Sequence, residues 1–276
     1  MNASTGATAI ARRLFQERLF TWMMGGLFPE QMTLDGLHHI LEIGCGPGSW
    51  CVDVAHAYPK CAVMGIDCNS AMINYARSLR DLHGLQNVHF EVMNPCEILP
   101  IETSCFDLIT FHFGVCSLPL ACWPQLLREC VRITRPGGTI RVIEEDYRSQ
   151  TNSNAQMEFS RLCIQLFQQN EANASPHEGR DGGKPMVEAL LGDAGYQMLH
   201  QQTYTVDVSF GTERHESYIQ HLHLLLVELL PKLHPFATQE ELDHLCWHMP
   251  DELQRETFQG SSSVHIIWSK ASEKRI

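Results

Sequence analysis

Ile40-Leu-Glu-Ile-Gly-Cys-Gly-Pro-Gly-Ser49 is the stretch that decides the fold of this chain. An aliphatic strand runs into a loop with glycines at 44, 46 and 48, and a helix-competent segment follows. Such glycines adopt dihedrals closed to other residues and leave the backbone bare where a ligand comes close. A tight strand-to-helix turn alone would need only one or two of them. A dinucleotide fingerprint would place a further glycine at 49, where Ser49 stands, and a P-loop would continue into Gly-Lys-Ser/Thr, which is absent. Glu42, at the end of the strand, suits a ligand with a cationic amine better than a pyrophosphate.

The same alternation continues outward. Strand candidates are His39–Ile43, Ala62–Ile66, Val88–Val92, Phe106–Phe111 and Thr139–Ile143, with helix candidates Ser49–Ala57, Ala71–Leu82 and Cys122–Ile133 between them. That rhythm implies βαβ units and a parallel sheet covered on both faces. Asp67 closes the second strand, 19 positions after Gly48, where a carboxylate can accept both hydroxyls of a ribose. Glu42, Asp67, Asn94 and Phe111-His112 all fall at carboxyl ends of strands, where open α/β sheets bind ligands.

On the N-terminal side, Ile10, Leu14, Phe15, Leu19 and Met23 recur at helical spacing, with Arg12, Arg13 and Glu17 between them, and Gly25-Gly26 ends the helix. On the C-terminal side, residues 150–182 are polar around a helix at about 155–169. Met186–Leu191 reads as helix and Tyr196–Val208 as strand. A stripe of Tyr218, Ile219, Leu222, Leu225, Leu226, Leu229 and Leu230 runs up to Pro231. Thr238 and Glu241 form a capping box for a helix stopping near Pro250, and Val264–Trp268 is a last strand. The expected organisation is a helical cap (1–34), a core (35–148), a lid insertion (149–182), a return to the core (183–209), a helical lid (210–257) and a closing strand (258–276).

Composition narrows the function. With 276 residues, 44% of them hydrophobic, the chain can bury a core, and its net charge of −12 weighs against nucleic acid as a partner. The aliphatic run Leu222–Leu230, broken by His223 and Glu228, is too short to span a bilayer. No secretory signal is evident, so a cytoplasmic protein without a membrane partner is expected. Eleven cysteines, an odd total without a CxxC pair, suggest reduced core thiols and not a disulfide framework. His244 and His248 share a helix face, yet no Glu follows His244 as a zinc protease motif requires, and no metal site is expected. Cys68, Cys96 and Cys116 stand at strand ends, where thiolates could instead serve a soft substrate.

Over residues 36–146 the chain resembles the class I S-adenosylmethionine (SAM)-dependent methyltransferases. Leu41–Gly48 resembles their first motif, Gly65-Ile-Asp67 their second, Phe106–Thr110 their fourth strand and Arg135-Pro-Gly-Gly138 the turn before the fifth. The resemblance implies a Rossmann-like α/β fold: a mainly parallel seven-stranded sheet, an antiparallel last strand and helical lid insertions. It also implies SAM as cofactor, with S-adenosylhomocysteine (SAH) as its product. Glu42 and the amides of Gly44, Cys45 and Gly46 would hold the methionine end, in the loop that Gly48 closes. Asp67 would bind the ribose, Cys68 and Met72 would flank the adenine, and Asn94 and Pro95 would meet its edge and ring. Phe111 and His112 would lie along the sulfonium side.

Phe106–Gly114 is similar to the ubiquinone/menaquinone-biosynthesis C-methyltransferases, although Cys116-Ser117 stands where those enzymes carry Arg-Asn, which weighs against a quinone ring. A small, partly apolar acceptor, methylated at O, N or C, is the expectation, with a homodimer as the expected assembly. Should the acceptor lose a proton, His112 has a suitable ordinary pKa, and Glu145 lies just past the fifth strand. Two other uses of the same site stay open: SAM binding without transfer, and methylation of a protein.

Overall fold

The structure, a computed structural model, describes residues 3–30, 36–113, 118, 120–172, 188, 190–192, 194, 196 and 200–271. Its elements follow the alternation of the sequence. They are α1 (Ala3–Met24), β1 (His39–Ile43), α2 (Ser49–Ala57), β2 (Ala62–Asp67), α3 (Ser70–Leu82), β3 (Val88–Val92), β4 (Phe106–His112), α4 (Trp123–Ile133), β5 (Thr134–Thr151), α5 (Asn154–Ala172), β6 (His200–Asp207), α6 (His215–Leu233), α7 (Gln239–Leu253) and β7 (Gly260–Lys270). The seven strands lie in the order β3-β2-β1-β4-β5-β7-β6. β1 pairs in parallel with β2 and β4, β2 with β3, and β4 with β5, while the last strands are antiparallel. This is the Rossmann-like arrangement expected.

The chain divides into two compact units: Met1–Glu144 with Gly183–Gln202 and His265–Ile276, and Glu145–Gly182 with Thr203–Val264. The strands β5, β6 and β7 each begin in one unit and end in the other.

In the first unit, strand alternation feeds two cores. Ile40, Val63 and Val88 meet Val52, Ile73 and Ala76 of α2 and α3, while Leu41, Ile43, Ile109 and Phe111 meet Trp123, Leu126 and Leu127 of α4. Two glycines owe their identity to this packing. A Cβ at Gly48 would come within 2.7 Å of Ala76 and Phe90, and one at Gly65 within 2.7 Å of Phe90. The ligand side is different: Gly44, in the left-handed region at φ 76, has nothing within 4 Å of a Cβ position.

In the second unit, α5, α6 and α7 pack on one another through Tyr218, Leu222, Leu225, Leu229, Leu242, Leu245 and Met249. The capping box forms as expected: Thr238 Oγ1 accepts from the Glu241 amide while Glu241 accepts from the Thr238 amide at 2.7 Å. Both α6 and α7 run three residues or fewer past their prolines, Pro231 and Pro250, since a proline in the last turn forfeits only one backbone bond. No helix among the described residues is long and apolar enough to cross a membrane.

The structure corrects the reading of the cysteines. Cys96 and Cys122 are joined in a disulfide with their Cα atoms 4.8 Å apart. The loop after β3 and the turn before α4 bring together two residues separated by 26 positions, a pairing that no local spacing announces. Cys96 is therefore not available as a thiolate ligand. Cys116 and Ser117 lie outside the described residues.

Candidate active site

The site is built where β1, β2 and β4 end and α1 crosses the glycine loop. Glu42 is fully buried on β1, Oε2 accepting from the Cys51 thiol at 2.9 Å and Oε1 3.0 Å from His112 Nδ1. His112 comes from the end of β4, edge-on to Trp50 with ring centroids 4.6 Å apart. Its Nε2 lies 3.4 Å from Nη1 of Arg141, whose Nε meets Glu30 at 2.5 Å and whose Nη2 donates to the Leu27 carbonyl at 3.1 Å. A continuous chain, Cys51–Glu42–His112–Arg141–Glu30, thus runs through the interior.

Burial holds His112 neutral, with the Arg141 cation adding to the effect, and lowers its pKa to about 3. With Glu42 ionised, the consistent assignment is Nδ1–H toward Glu42 and an Nε2 lone pair toward Arg141. An imidazole so engaged on both sides is a poor proton acceptor at neutral pH. His112 therefore stands between Glu42 and Arg141.

The N-terminal helix brings groups that helical periodicity assigned to the spaces between apolar positions. Arg12, Gln16 and Glu17 are buried. Glu17 accepts a hydrogen bond from the Ser49 hydroxyl at the start of α2, and Arg13 Nη2 donates to the Gly44 carbonyl at 3.2 Å. Burial raises Glu17 to about 7, and the Glu42 charge adds to it. Burial likewise raises Glu42 to about 7, against the lowering effects of the Cys51 hydrogen bond and of Arg13 and Arg141. Two carboxylates beside one loop are thus each short of positive charge.

The loop amides turn out to be committed within the protein. Those of Gly44 and Cys45 donate to the Ile66 carbonyl at 2.8 and 3.0 Å, and that of Gly46 donates to Asp67 Oδ2 at 3.0 Å. Asp67 Oδ1 accepts from the Asn69 amide at 2.8 Å, so this half-buried carboxylate is fixed in place and keeps lone pairs for further donors. Cys45 is buried, its thiol pushed up by burial. Cys68 is exposed, Met72 is 8% exposed on α3, and Pro95 is buried beside an exposed Asn94. The Asn94 oxygen accepts from the Cys96 amide at 3.1 Å and its Nδ2 donates to Glu97 at 2.8 Å.

Phe111 and His112, expected side by side, separate. Successive residues of β4 face opposite ways, and Phe111 packs against Trp123 at 5.6 Å in the α4 core. Phe111 does not share the space around Glu42. Glu144 and Glu145 are both buried, at 3% and 6% exposure. Glu145 belongs to the second unit, its two oxygens 3.1 and 3.2 Å from Nε2 of the fully buried His221. A histidine on an apolar helix stripe carries no mark in sequence that a carboxylate waits across from it.

Residues 40–138 match a family described as "Methyltransferase domain". Over these residues the chain is similar to methyltransferase domains. Among curated relatives, methyltransferase str2 of Strobilurus tenacellus is 31% identical over 152 residues, covering 54% of this chain and 51% of that protein. A demethylmenaquinone methyltransferase of Staphylococcus saprophyticus is 30% identical over 117 residues, covering 42% and 48%. The chain spans about half the length of the curated relatives it matches. Among solved structures, phosphoethanolamine N-methyltransferase 2 of Haemonchus contortus, in complex with phosphomonomethylethanolamine and SAH, superposes with a TM-score of 0.55 at 14% identity, over 92% of this chain and 56% of that one. The fold holds Glu42, Asp67 and the glycine loop at the carboxyl ends of adjacent strands.

Proposed function

We propose that this methyltransferase binds SAM at the glycine loop and moves its methyl group to a small, partly apolar acceptor. The observation that carries the reading is the pair of buried acids, Glu17 and Glu42, each raised to about 7 beside a loop whose Gly44 opens onto free space. Acids so desolvated call for a cationic ligand, and SAM carries an ammonium and a sulfonium. The residues present fit it: Glu42 and Glu17 for the ammonium, Asp67 for the ribose hydroxyls, and Met72 and Pro95 as apolar surfaces for the adenine.

When bound, SAM supplies an electrophilic methyl group, and transfer is an in-line displacement governed by alignment. The work of the chain is then to hold and to exclude water. Glu42 is held by the Cys51 thiol, and Asp67 by the Gly46 and Asn69 amides, so both acids are fixed in place before a ligand arrives.

The test of transfer is incubation of the purified protein with methyl-labelled SAM and a fractionated small-molecule extract. Label in a small product supports the reading. Label in protein alone would move the acceptor to a polypeptide, and SAM binding without any labelled product would leave a binding protein.

A further inference from the structure

We infer that Arg13, on the N-terminal helix, is the receptor for the carboxylate of the cofactor's amino-acid end, so that α1 is part of the cofactor site. The inference rests on the SAM reading above and adds a residue to it. The glycine-loop amides, which would be the obvious donors for that carboxylate, are spent: Gly44 and Cys45 on the Ile66 carbonyl, Gly46 on Asp67. The start of α2 already holds an anion, since the Ser49 hydroxyl is bonded to Glu17. A carboxylate arriving at this loop therefore needs a donor from another element.

Arg13 is that donor. Its guanidinium Nε lies 3.5 Å from the position a Cβ would take on Gly46, and Glu17 Oε1 lies 3.7 Å from the same point, so both groups stand over the loop. The guanidinium gives one hydrogen bond, from Nη2 to the Gly44 carbonyl, and makes no ion pair within 4.0 Å among the described residues. Four of its five N–H donors are uncommitted. The fork geometry of a guanidinium matches a carboxylate. The amino-acid end of SAM is a zwitterion, and the loop offers the complementary pattern: acids Glu42 and Glu17 for the ammonium, Arg13 for the carboxylate. A helix read from sequence as a cap thereby contributes both signs of charge.

The test compares SAM with decarboxylated SAM, which keeps the ammonium, the sulfonium and the nucleoside and lacks only the carboxylate. Titration calorimetry of the wild-type chain should show SAM binding at least tenfold tighter than the decarboxylated analogue. In Arg13→Met that preference should fall below threefold, and Arg13→Lys should restore part of it. Because the readout is a ratio within each variant, a general weakening of the fold does not imitate it. A preference unchanged in Arg13→Met overturns the inference and leaves SAM binding intact. A wild-type chain that binds neither ligand overturns the SAM reading and this inference with it.

Discussion

Glu42 Oε1 lies 3.0 Å from Nδ1 of His112, and both side chains are shut away from solvent at 0% and 4% exposure. In water such a pair would be an ordinary salt bridge. Inside this protein, burial moves both groups toward their neutral forms, the acid up to about 7 and the imidazole down to about 3. The contact is therefore a close approach without a hydrogen bond, and it leaves Glu42 Oε1 for a cationic ligand to answer.

His112 should stay neutral well below its ordinary range. Its depressed pKa means that its contribution to stability is present above 6.5 and is lost as pH falls from there through about 3. Nitrogen-15 NMR of the ring should show one protonated and one bare nitrogen at pH 5. A ring doubly protonated at pH 5 contradicts the assignment.

SAM affinity should rise with pH near neutrality. Glu17 and Glu42, at about 7 in the free protein, must ionise to face a cation, and the bound cation lowers both. The groups around them that set this are Arg13, Arg141, Asp67, His112, Ser49 and Cys51. Binding should be roughly eightfold tighter at pH 7.5 than at pH 6 for each acid that must ionise and should release protons, seen as a buffer-dependent enthalpy. A flat profile from pH 6 to 7.5 argues that neither acid meets the cofactor.

Arg141 should prove costly to remove. It is fully buried, bonds Glu30 and the Leu27 carbonyl, faces His112, and lies over the Phe28 ring at 5.4 Å. Arg141→Met leaves Glu30 without its cation, an error of about 3–5 kcal/mol in buried pairs of this kind. Urea unfolding reads the change, and a loss under 1 kcal/mol would show that the residue is not load-sharing with Glu30 as described.

Oxidised protein should carry the Cys96–Cys122 disulfide. Alkylation under denaturing, non-reducing conditions should leave Cys96 and Cys122 unlabelled, and reduction should expose both. Labelling of all eleven sets the pairing aside.

The sheet was legible because its signals are local. Ser49–Ala57 and Val88–Val92 were delimited to the residue by glycines and apolar runs, and Thr238 with Glu241 announced α7. What escaped were relations across the fold. Periodicity shows which face of α1 is apolar, and it cannot tell a face lying on water from one lying on a glycine loop, so Arg13 and Glu17 passed as intervening charges. The two-residue period of β4 was available to part Phe111 from His112, but which face holds the ligand depends on where α1 and α2 pack. Cys96 and Cys122 meet only after two crossovers are laid on the sheet. A carboxylate at a strand end such as Glu145 is visible in sequence, and its pairing with His221 on a helix is not.

The central claim is that the glycine loop with Glu42 and Asp67 is a SAM site. Calorimetric titration of the purified chain with SAH at pH 7.5 tests it most directly. One site per chain is predicted, weakened at least tenfold in Asp67→Ala, whose carboxylate holds the Gly46 amide and awaits the ribose. No detectable binding by the wild-type chain, or equal binding by Asp67→Ala, would contradict it.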